Sequence, residues 1–388
     1  MEFISRLADT TDKYKIVDQL LAGVSGSFDL AVLFVVPSGP YDAKTLYQEI
    51  ENRVSIRNFL CCTTAGVIGN QHELEDVPSA VLMLARLPDV GVRPFYLDQN
   101  QLDSFAKPED IYEFFEVYPH EKPAFLVLPD PFLINPNQFL DQMNRAYPKC
   151  SVVGGLASAG SQERENVLIS NNKMYDEGLA GVVLTGNIAV ETVVSQGCRP
   201  VGPTFIVTKA QDNLIHELAG RPFYEVIKEV LEAATPRDRG LAQEAVFVGI
   251  AMDEYKHKFK RGDFLIRGVM GIDPESGVGA VADYVKVGQT VQLHLRDAQT
   301  ATEDLTELLL SHKEHLDARR LKGVFVFSCN GRGEHLFKEK DHDIKLIQRH
   351  IGPVPAAGFF CAGEIGPVGG VNFVHGFTSS ITLIYAPK

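Results

Sequence analysis

One pattern recurs three times along the chain and limits its possible folds more tightly than composition does. A strand-length apolar run ends in a turn, and a helix-length segment follows. A second apolar run closes on glycine or other small residues, and a third completes the unit. The first unit reads Leu30 to Val36 before Pro37-Ser38-Gly39, then Leu60 to Gly66, then Ala80 to Leu84. The second reads Ala124 to Leu128 before Pro129-Asp130-Pro131, then Val152-Val153-Gly154-Gly155, then Gly181 to Leu184. The third reads Gly323 to Phe327 before Ser328-Cys329-Asn330-Gly331, then Ala357 to Phe360, then Thr378 to Ile384. Phe34 to Cys62, Leu128 to Gly155 and Phe327 to Gly358 are similarly spaced, about one strand-helix-strand unit apart. Internal duplication and independent strands of similar composition both account for this, and both predict an α/β chain.

A different stretch separates the second and third units. Val182 to Gln196 and Phe264 to Leu295 are rich in Val, Ile and Gly, with period-two alternation at Val281 to Val287, which reads as antiparallel sheet. The predicted fold class is therefore two α/β domains with mixed, largely antiparallel sheets flanked by helices. At 388 residues the chain exceeds one ordinary core, so two domains are expected, 1–220 and 221–388. The boundary is placed where Asp212 would cap a helix carrying Leu214, Ile215 and Leu218, ended by Gly220. Pro222 then opens the next helix, whose apolar face is Phe223, Val226, Ile227 and Val230.

Charge and cysteine usage restrict the partners. A formal charge of -13, with no basic run longer than Arg319-Arg320, argues against nucleic acid and anionic membrane as partners. The acidic N-terminal stretch does not read as an export signal, and no apolar run approaches the roughly 20 residues that span a bilayer. Six cysteines without a C-x-x-C pair suit reduced thiols, so a cytoplasmic protein is expected.

Chemistry is concentrated in five glycine-rich segments, those at Gly154-Gly155, Arg199, Arg267, Cys329 to Gly333 and Glu364. Gly154 and Gly155 read as a turn whose backbone N–H groups cradle an anion, or as tight strand packing. Arg332, bare between Gly331 and Gly333, suits bidentate capture of a carboxylate, and its loss is expected to leave the empty protein's stability almost unchanged. An exposed loop arginine is the alternative. Glu364 suits a ligand amine, or an ion pair with Arg199, Arg267 or Arg332. Cys329 and Cys361 each end an apolar strand, as site thiols or as small hydrophobes. His294 and His375 are the candidate haem ligands, and His312 and His315 sit in a charge run that reads as a solvated helix face. Phosphate-loop, dinucleotide and zinc-protease signatures are absent, and Gly155 lies one place too far from Ser158 for a nucleophile elbow. The chain is therefore expected not to be an enzyme.

In sequence order, Cys62 to Ile68, Val153 to Ala157, Gln196 to Gly202, Cys329 to Gly333 and Gly363 to Pro367 resemble the paired FIST domains of sensory proteins. The resemblance runs from about Phe28 onward. It implies an N-terminal FIST domain followed by a C-terminal one, and an intracellular signal-transduction role with a small ligand such as an amino acid held between the halves. Gly154, Gly155, Arg199, Cys329, Asn330, Arg332 and Glu364 are the expected ligand-binding residues. No F-box or output domain is expected with the module, so output would pass to a separate signalling protein. No cofactor is expected. The alternatives are a haem-binding nitric-oxide sensor and a thiol enzyme using Cys329 or Cys361.

Overall fold

The computed structural model describes residues 1–37, 41–315 and 320–387, so Ser38-Gly39 of the first predicted turn and 316–319 of the charge run lie outside it. The chain forms two compact units, Met1–Val194 together with Thr306–Lys388, and Ser195–Leu305. These compact units cross the cut placed near Gly220, because Thr306–Lys388 returns to the unit that Met1–Val194 builds.

In the first unit the threefold pattern becomes a threefold topology. Each repeat has a central strand: Leu30–Val36, Ala124–Pro129 or Leu321–Cys329. A helix, Ala43–Glu51, Pro136–Ala146 or His342–Ile351, leads to a strand parallel to it. Those parallel strands are Phe59–Thr63, Val152–Gly155 and Ala356–Cys361. The return strands, Ser79–Arg86, Leu179–Gly186 and Thr378–Tyr385, pair antiparallel on the central strand's other side. A lead strand, Glu2–Ala8, Val90–Leu97 or Ala189–Gln196, borders each return strand.

The remaining hairpin of each repeat leaves its own sheet. Gly66–Ile68 of the first repeat pairs with Ala356–Cys361 of the third, and Leu168–Ser170 of the second with Phe59–Thr63 of the first. Glu364–Val368 of the third pairs with Val152–Gly155 of the second. Among the described residues this cyclic exchange gives three six-stranded sheets, each completed by another repeat.

The central strands are apolar along most of their length because both faces are buried. Val32, Phe34, Leu126, Leu128, Phe325 and Phe327 enter one shared core. Alternate residues face each repeat's own helix: Leu33 shares a cluster with Leu46 and Ile50, and Val127 with Phe139 and Met143. The Phe34 ring lies 4.8 Å from Phe359 and 6.3 Å from Phe327, so aromatic contacts hold the first repeat to the third.

The second unit is an antiparallel sheet closed on itself. From Cys198–Gln211 the order runs through Thr290–Arg296, Val246–Ala251, Phe264–Asp273 and Val278–Val281 to Leu214–Leu218, which pairs back to Cys198–Gln211. The helix Phe223–Ala233 buries the predicted face Phe223, Val226, Ile227 and Val230. Gly279 admits the Phe223 ring, since a Cβ there would lie 2.3 Å from it.

The helix predicted from Asp212 to Gly220 is instead a strand between two tight turns. Asp212 (φ 53°) precedes it, and Ala219 (φ 50°) and Gly220 (φ 76°) follow it, all left-handed. Pairing on both sides closes the barrel there and overrides a local pattern that also fitted a helix. The alternation at Val281 to Val287 is likewise not all strand: pairing ends at Val281, and Val285 N–H donates to the Asp212 carbonyl in the turn that follows.

Candidate functional site

At the ends of its parallel strands the third repeat packs ionisable side chains, among them an arginine, into the interior. Arg332 is 0% exposed, although Gly331 and Gly333 flank it. Its Nε and Nη2 donate to Asp343 Oδ2 and Oδ1 at 2.8 and 2.9 Å, and its guanidinium lies over the Phe337 ring. The predicted bare, reaching arginine is therefore corrected. Its carboxylate partner is internal, supplied by the first turn of the helix His342–Ile351. Ser328 Oγ also donates to Asp343, and His342 Nδ1 contacts it at 2.9 Å. Burial alone would raise the Asp343 carboxyl, but the Arg332 charge and the His342 and Arg332 hydrogen bonds outweigh it and hold it below the usual range.

That helix has no side-chain cap of its own. Asp341 at its N-cap is left-handed (φ 62°), and the missing acceptor comes from Glu73 of the first repeat's exchanged hairpin, whose Oε1 accepts from Ile344 N–H at 2.7 Å. Burial and the neighbouring Asp343 charge push Glu73 well above its ordinary range.

Glu364 is also 0% exposed. Its Oε2 accepts from Thr378 Oγ1 at 2.7 Å and Thr378 N–H at 3.1 Å, while Oε1 is buried with no N–H or O–H donor. Burial pushes its carboxyl up to about 8, against the Thr378 hydrogen bonds, the Arg332 charge and a hydrogen bond with Cys329. Arg332 Nη1 is the matching buried donor without an acceptor. A guanidinium and a carboxyl thus each keep one unsatisfied polar atom in the same cluster, where such groups cost about 1–3 kcal/mol or more.

A carboxyl pushed from its ordinary 4.5 to about 8 keeps a proton in the folded state that the unfolded chain releases. Its contribution to stability is full below the unfolded value and is lost as pH rises through the folded one. Glu364→Gln should remove this dependence. In urea titrations from roughly pH 5 to 8, wild type should lose stability relative to the variant by up to about 1.4 kcal/mol per pH unit. Curves that stay parallel would show that Glu364 is ionised throughout.

The other predicted site residues lie elsewhere or have other tasks. Gly154 pairs with Val127 on one side and Ile365 on the other, and Gly155 pairs with Glu364, so they form a strand in the ladder and not a donor turn. A Cβ on Gly154 would sit 1.8 Å from the Val127 carbonyl oxygen, and one on Gly155 2.3 Å from Cys361 Sγ. Asn330 is exposed, its N–H donating to the Cys361 carbonyl. Arg199 belongs to the second unit and pairs with Asp297 and Asp238, and Arg267, in the same unit, pairs with Asp283. His294, lowered by burial to about 4, has Nδ1 3.1 Å from the Gln292 carbonyl, and His375 Nε2 donates to the Gly366 carbonyl. Sequence reading missed Asp343, Thr378 and Glu73. Asp343 carried an ordinary signal, an acid in a helix's first turn, that gives no hint of a partner eleven residues upstream.

A threefold α/β unit with an exchanged hairpin in each sheet, interrupted by an antiparallel barrel and carrying a buried charged cluster in its last repeat, defines the class. The chain belongs to the FIST family: the FIST N domain matches residues 29–221 and the FIST C domain residues 224–367. The family is associated with sensing in signal transduction. An uncharacterized protein of Mycobacterium tuberculosis is 37% identical over 363 residues, covering 94% of this chain and 92% of its own. An uncharacterized protein of Mycobacterium bovis is 38% identical over 322 residues, covering 83% of this chain and 81% of its own. Among the described residues no helix is long and apolar enough to cross a membrane.

Proposed function

We propose that this chain is a ligand-responsive sensory module and not an enzyme, and that its ligand is a small molecule carrying both a carboxylate and an amine, of which a free amino acid is the simplest. The observation supporting this is the buried guanidinium of Arg332 beside the buried carboxyl of Glu364, each with one polar atom that no N–H or O–H donor or oxygen acceptor meets. A carboxylate would satisfy Arg332 Nη1, and an ammonium would satisfy Glu364 Oε1 and draw that carboxyl into its ionised form. Entry requires the turn Asn330 to Gly333 to swing away. Displacement of that turn alters the surface offered to a separate cytoplasmic signalling protein.

Native mass spectrometry of the purified protein, followed by calorimetry with a panel of amino acids, tests this reading. A retained or titratable amino acid, its affinity lost in Glu364→Gln and accompanied by proton release in wild type, is the expected result. An empty protein that binds no member of the panel, or Glu364→Gln binding as tightly as wild type, would overturn the assignment.

A further inference from the structure

Cys329 and Cys361 are the terminal residues of neighbouring parallel strands and partner one another in the ladder. Paired residues of parallel strands project from the same face, and strand spacing of about 4.8 Å falls within the Cα separation of about 4.4–6.8 Å that a disulfide bridges. Cys329 is partly exposed, whereas Cys61, Cys62, Cys150, Cys198 and Cys361 are buried. The absent side chain of Gly155 leaves the room that Cys361 Sγ occupies. Cys329 lies in the field of the Arg332 guanidinium and hydrogen-bonds Glu364.

We propose that Cys329 and Cys361 form a reversible redox site, in which a hydroperoxide oxidises Cys329 and Cys361 then closes an intramolecular disulfide. The Cys329 thiolate attacks the peroxide oxygen. An S–O bond forms, the O–O bond breaks, and the leaving alkoxide or hydroxide departs with the thiol proton as alcohol or water. The Cys361 sulfur then attacks the sulfenic sulfur. An S–S bond forms, the S–O bond breaks, and hydroxide leaves as water with the Cys361 proton. Two thiols lose two electrons and the peroxide gains them. A dithiol reductant reverses the step. The site operates whether or not the Arg332 and Glu364 pair binds a ligand.

The test treats the reduced full-length protein with one equivalent of hydrogen peroxide, alkylates it under denaturing conditions and maps its peptides. The Cys329 and Cys361 peptides should be joined, with Cys61, Cys62, Cys150 and Cys198 still alkylated, and dithiothreitol should release the link. In Cys361→Ala the link should be replaced by a Cys329 sulfenic acid that dimedone traps. Wild-type Cys329 that stays alkylatable, that passes to sulfinic acid without the link, or that joins a second chain instead would overturn the proposal. The wild-type measurement decides it even if the variant does not fold.

Discussion

Expressed separately, residues 1–220 and 221–388 should both be recovered as insoluble or unfolded material, and co-expression should restore a soluble complex. The hairpin exchange is the reason. The N-terminal piece loses Glu364–Val368, which borders Val152–Gly155, and the C-terminal piece loses Gly66–Ile68, which borders Ala356–Cys361. Each piece would expose a sheet edge and the apolar face it covered, a template for aggregation. The same cut divides the barrel, parting Cys198–Gln211 from Thr290–Arg296 and Val246–Ala251. Residues 195–305, by contrast, contain a closed sheet and their own core, and should fold when excised. Circular dichroism and thermal melts of the purified pieces provide the measurement. Two monomeric halves with cooperative melts would refute the exchange.

Arg332→Ala should lower the stability of the empty protein by about 3–5 kcal/mol, because it leaves Asp343 as a buried carboxylate without its cation. The melting temperature should fall on the order of 10 °C. Arg332→Lys should recover part of the loss, since an ammonium keeps the charge but not the two parallel hydrogen bonds. Arg332→Met combined with Asp343→Leu should be more stable than Arg332→Ala, because no unpaired charge remains. Differential scanning calorimetry without ligand separates these variants. An unchanged melting temperature for Arg332→Ala would place the guanidinium in water and restore the exposed-loop reading. The expectation that this residue leaves the fold unaffected is reversed because a glycine on each side gives the backbone freedom to turn inward as readily as outward.

Much of the candidate site could be read in the sequence as a list of residues but not as a set of contacts. Arg332, Cys329 and Glu364 stand out because charge and thiol follow directly on strands too apolar to be surface. Asp343 does not, because an acid opening an amphipathic helix is ordinary. Gly154 and Gly155 show the opposite failure. Their composition suggested an anion-binding turn, and the close approach of Val127 and Cys361 explains them without one.

By itself the sequence determined the three strand-helix-strand units, the family and the helix Phe223–Ala233, because runs of buried residues and helical periodicity are written in consecutive side chains. Only the tertiary structure decided which sheet each hairpin joins, that Leu214–Leu218 closes a barrel instead of forming a helix, and that Arg332 turns inward to Asp343. Pairing between strands runs through backbone groups that every residue shares, and a buried charge is settled by whichever partner the finished fold brings within reach.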